Sequence, residues 1–106
     1  MTTTETVDLS RNAVTKRIRQ ALRRRSGKSW SVSGGSGTAY GWIRIKATAG
    51  RDLALAEQME LAELLGLSRP CHFQGEDIPS GHDYYREYID RAEGREPAVT
   101  GKAYWD

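Results

Sequence analysis

The chain has little of what builds a stapled, membrane-bound or multi-domain protein. Its 106 residues hold one cysteine, Cys71. No internal disulfide can form, and a cytoplasmic setting is the default. No apolar run approaches the ~20 residues of a membrane span, so no membrane partner is expected. Met1 to Thr6 is threonine-rich with no apolar core segment, so no secretory signal is expected. The length excludes a two-domain nucleotide-binding enzyme.

Soft metal ligands are equally scarce. Cys71, His72 and His82 are the whole supply. With a carboxylate such as Asp83 they match no dependable zinc spacing. Cys71 and His72 are adjacent, so their side chains do not converge into a nucleophile pair. The run Ser33-Gly34-Gly35-Ser36-Gly37-Thr38 lacks the Gly-Lys-Ser/Thr ending of a phosphate loop, and a strand pattern follows it. Ser26-Gly27-Lys28-Ser29 has Leu22 and Arg23 where such a loop needs its first glycine. No acid–base pair stands out. The chain reads as non-enzymatic, with no metal and no cofactor.

What the chain does have is segregated charge. The formal net charge is only +2. Residues 1–50 carry ten Lys/Arg against two Asp/Glu, and residues 51–106 carry six against twelve. Either the two halves neutralise each other across the fold, or a basic face is kept for an anionic partner. Arginine outnumbers lysine 12 to 4, which suits phosphate forks.

The patterning predicts an α+β, two-layer fold in the order α-β-β-α-α. A two-stranded antiparallel hairpin packs against about three helices. A flexible tail covers 1–7, one domain covers 8–94, and an irregular segment covers 95–106, where Tyr104-Trp105 can dock as an anchor. The first helix runs from about Ser10 to Arg25. Val14, Ile18, Ala21 and Leu22 lie on its inner side, Asp8 or Ser10 caps it, and Gly27 stops it. Ser29 to Ser33 alternates polar and apolar, residues 34–37 make a glycine turn, and Tyr40 to Ala47 returns. Ile43, Ile45 and Ala47 point one way; Tyr40, Trp42, Arg44 and Lys46 point the other.

A second helix spans about Asp52 to Leu65, with Leu55, Met59, Leu61, Ala62 and Leu65 in a broad apolar arc and Gly66-Leu67 folding back. Residues 68–79 read as a loop. A third helix spans about His82 to Glu93, capped by Ser80 or Asp83, with Tyr84, Tyr85, Tyr88, Ile89 and Ala92 inward.

Two constellations suggest binding. On the first helix Asn12, Lys16, Arg19 and Arg23 fall within about 60° of one another, flanked by Arg17 and Arg24. Such a strip meets phosphates spaced along a nucleic acid. A solvated helix face is the plain alternative. On the hairpin, Tyr40 and Trp42 interleave with Arg44 and Lys46, where aromatics stack on unpaired bases and cations hold the backbone. Alternatively Trp42 is covered, with the two cations lying over it. The acidic 74–79 stretch and Glu57, Glu60 and Glu63 either balance the basic helix or mimic nucleic acid toward a basic partner, and charge balance is the expected reading. DNA or RNA is therefore the expected partner. The alternative is a protein-interaction or regulatory module, using the Tyr40/Trp42 patch or pairing its basic side with an acidic protein.

Gly27-Lys28-Ser29-Trp30-Ser31-Val32, Gly34-Gly35-Ser36 and Trp42 follow a basic amphipathic helix. Over about residues 14–46 this pattern resembles small α+β domains associated with large polyvalent proteins of phages and conjugative elements. Trp42 here precedes Ile43 and Ile45 instead of following such residues. The resemblance implies a mobile-element or accessory setting and no catalytic residue.

Overall fold

The computed structural model describes residues 9–35 and 41–101. The expected 1–7 tail, the Asp8 cap, the tip of the glycine turn, Tyr40 and the Tyr104-Trp105 anchor lie outside the described residues.

The first helix, α1 (Arg11–Ser26), buries Val14, Ile18, Ala21 and Leu22, the four positions its spacing selects. Ser10 holds the N-cap position, and its side chain makes no cap hydrogen bond. At the other end Gly27 adopts φ 78° and its amide returns to the Arg23 carbonyl, a conformation that costs glycine no Cβ clash.

Strands β1 (Trp30–Gly34) and β2 (Ile43–Ala47) pair antiparallel, with Trp30 opposite Ala47 and Val32 opposite Ile45. These four and Ile43 face inward and are buried. The expected two-stranded hairpin is in fact part of a three-stranded sheet, ordered β1-β2-β3. The added strand, β3 (Glu76–Ile78), lies in the stretch read as a loop and sets Asp77 opposite Arg44. It comes alongside through Gly75, at φ 108°, where a Cβ would sit 2.5 Å from the Ile45 carbonyl oxygen.

Between β2 and β3 comes α2 (Leu55–Leu65), which starts three residues later than the expected Asp52. Leu53 is buried ahead of it and its amide binds the Phe73 carbonyl, so the entry is fixed as extended chain. Only Leu61, Ala62 and Leu65 of the expected arc are buried. Leu55 and Met59 are 66% and 58% exposed. At ~100° per residue they lie about 80° and 120° round from Leu65, outside the stripe that meets the core. Helix α3 (His82–Ala92) buries Tyr85, Tyr88, Ile89 and Ala92. Its N-cap is Gly81, with no side-chain cap bond from Ser80 or Asp83. It ends with Gly94 bonded to Arg91 and Arg95 to Asp90, a Schellman closure.

One core joins the inner face of the sheet to α1 and α3, with α2 closing its end. The join between α1 and β1 depends on Ser26. Its hydroxyl donates to Leu22 O (2.7 Å) and accepts from the buried Trp30 indole N–H (3.0 Å). Ser26→Ala strands that N–H, and the expected loss is about 1–2 kcal/mol, read as a urea midpoint shift by tryptophan fluorescence. An unchanged midpoint would show that the indole finds water instead.

Candidate nucleic-acid interface

Nine side chains are expected to carry binding, and all but Tyr40 lie among the described residues. Lys16, Arg19, Arg23 and Arg24 are exposed on α1, and none has a carboxylate partner among the described residues. Arg19 donates to the Val32 carbonyl (3.4 Å) and Arg23 to the Ser29 hydroxyl (2.8 Å). Both acceptors are neutral, so the guanidinium charge is not cancelled. Because β1 is an edge strand, these contacts also cover part of its open edge. Arg11 continues the row by donating to Gly35 O at 2.8 Å.

Arg17 does not belong to this set. It points the other way round α1 and closes a fork on Glu93, at 2.8 and 3.2 Å. This fork ties α1 to the end of α3.

The hairpin cations are likewise tied up. Arg44 forks onto Asp77 across the β2–β3 pair, at 2.6 and 3.3 Å. Lys46 donates to Gly50 O at 2.8 Å and lies 3.8 Å from Asp52. Trp42 is half-buried and lines a cavity of about 340 Å³ with Ser33, Gly34, Gly35 and Arg44. Arg44 is on the sheet face opposite the core, and Arg11 of α1 reaches Gly35 O, in the lining of that cavity.

Part of the segregated charge is neutralised within the fold. Among the described residues four ion pairs join the basic and acidic halves: Arg17–Glu93, Lys28–Glu60, Arg44–Asp77 and Lys46–Asp52. The α1 row is left over. The Arg17 fork holds Glu93 below its usual value of 4.5, with Arg95 adding to the effect. A carboxylate with a lowered folded pKa stabilises the fold above its unfolded value and loses that contribution as pH falls through the folded one. Thermal melts should therefore weaken on acidification below pH 4.5, and Glu93→Gln should flatten that limb. An identical acid limb in the variant would assign it to other groups.

Sequence reasoning missed a buried polar cluster. Glu76, 3% exposed, accepts from Arg69 (2.9 and 3.2 Å) and from the Tyr88 hydroxyl (2.9 Å). Beside it, burial and then the Glu76 charge push the Cys71 thiol up to about 12. That thiol stays protonated near neutrality and is a poor nucleophile. His72 stacks on Phe73, and its ring nitrogen accepts the Gln74 amide. Among the described residues no group of three His, Cys, Asp or Glu could hold a metal ion, and no helix is long and apolar enough to cross a membrane.

Comparison with family models, with curated proteins and with solved structures returned no match.

Proposed function

We propose that this α+β domain is a non-enzymatic nucleic-acid-binding module that holds phosphates with the exposed row Lys16, Arg19, Arg23 and Arg24 of α1. The observation that carries this reading is the absence of carboxylate partners for those four among the described residues, while four other cations of the same half are paired with acids. A rigid helix that keeps cations apart from available acids creates a fixed field for a polyanion. Arg44, Lys46 and Arg17 have no direct role in it. A cytoplasmic, mobile-element or accessory setting goes with this reading.

The test is salt dependence. About four phosphate contacts give a slope of log K against log salt near −3.6 for duplex DNA, so affinity falls roughly 100-fold between about 50 and 200 mM. No retention of DNA or RNA at about 50 mM salt would end the proposal.

A second reading, a protein-interaction or regulatory module, draws on Leu55 and Met59, both exposed on α2. Under it, replacing both by serine abolishes capture of a host protein and leaves nucleic-acid retention as it was.

A further inference from the structure

We infer that the nucleic acid met by α1 is B-form duplex DNA, entered through its major groove. This rests on the nucleic-acid reading above and fixes which form of nucleic acid that reading means. A single strand is held by exposed aromatics with unpaired cations beside them. The described sheet surface does not offer that combination, since Trp42 is half-buried, Arg44 is closed on Asp77, and Lys46 on Gly50 O and Asp52.

The outer face of α1 carries more than charge. Asn12, Lys16, Arg19, Gln20 and Arg23 are all exposed. They fall within about 100° of arc and span ~16 Å of axis. The side-chain amides of Asn12 and Gln20 have no hydrogen-bond partner among the described residues. A phosphate strip has no need of amides. In the major groove an Asn or Gln amide matches the adenine edge, while the cations beside it hold the flanking phosphates. Arg19 and Arg23 each spend one donor on the β1 side, which orients the guanidinium and leaves most of its N–H groups for a ligand. No carboxylate occurs in the sequence between Asp8 and Asp52 to repel an approaching duplex along this segment.

Groove dimensions separate the duplexes. A helix with its side chains is about 10–12 Å across, and the B-form major groove is about 12 Å wide. The A-form major groove of RNA is too deep and narrow for a helix to read.

Fluorescence anisotropy on the full chain separates the outcomes, with four probes of one mixed sequence of about 20 base pairs. They are duplex DNA, duplex RNA, the single DNA strand, and duplex DNA whose cytosines carry glucosylated hydroxymethyl groups. These neutral groups project from the C5 edge into the major groove and leave the phosphates unchanged. Unmodified duplex DNA should bind at least about tenfold tighter than each of the other three. Equal or tighter binding of duplex RNA or single strand overturns the assignment to duplex DNA. Equal binding of the glucosylated duplex overturns the groove assignment. Failure to bind any probe overturns the nucleic-acid reading itself.

Discussion

Arg69→Ala should cost about 3 kcal/mol of folding stability, the largest loss expected from any side chain that is itself half-exposed. The reason lies on its partner. Glu76 points into the core from β3 with a side chain only 4% exposed, whereas that of Arg69 is 57% exposed. Truncating the arginine leaves the carboxylate buried with the neutral Tyr88 hydroxyl and Cys71 thiol near it. The alanine cannot compensate for the lost charge. A chain of this size has roughly 5–15 kcal/mol in all, and a 3 kcal/mol loss lowers Tm by about 10–20 °C. Thermal melts followed by far-UV circular dichroism measure it. Adding Glu76→Gln to the Arg69→Ala variant removes the stranded charge and should recover about 1–2 kcal/mol. A Tm shift under about 3 °C for Arg69→Ala would mean that Glu76 is solvated after all.

That cluster also marks where the sequence stopped being legible. The apolar spacing of α1 and α3 and the alternation of β1 and β2 each name a buried face, and those residues are buried, save Tyr84, which is only partly so. β3 has no such signature. It is three residues long, and its first inward position is a glutamate, which reads as a loop until Arg69 and Tyr88 arrive from elsewhere. One missed strand then misplaced a site residue. Arg44 looks unpaired on a two-stranded hairpin, and only β3 brings Asp77 across from it. On α2 the difficulty is an excess of apolar positions, so that spacing cannot say which face turns inward, and Leu55 and Met59 end outside. The α1 row was legible because its placement depends on its own helix and on β1, its close neighbour in sequence. Arg17 was not, because Glu93 lies 76 residues away.

Reversing two charges in that row gives the second large effect. Arg19→Glu plus Arg23→Glu should weaken binding to duplex DNA by about a thousandfold at about 50 mM salt, and should reduce the steepness of the salt dependence by about two. Two cationic contacts are lost, and two anions then face the phosphates. The fold should survive. Arg19 loses a 3.4 Å bond to Val32 O and Arg23 a 2.8 Å bond to Ser29, both at exposed positions, a cost of about 1 kcal/mol or less. Circular dichroism separates lost binding from lost structure. Arg44→Gln is the internal control. Its guanidinium belongs to Asp77 and lies on the sheet face away from the core, so affinity should change less than about twofold. A large loss in Arg44→Gln beside a small one in the α1 double variant would move the interface to the hairpin and refute the assignment to α1.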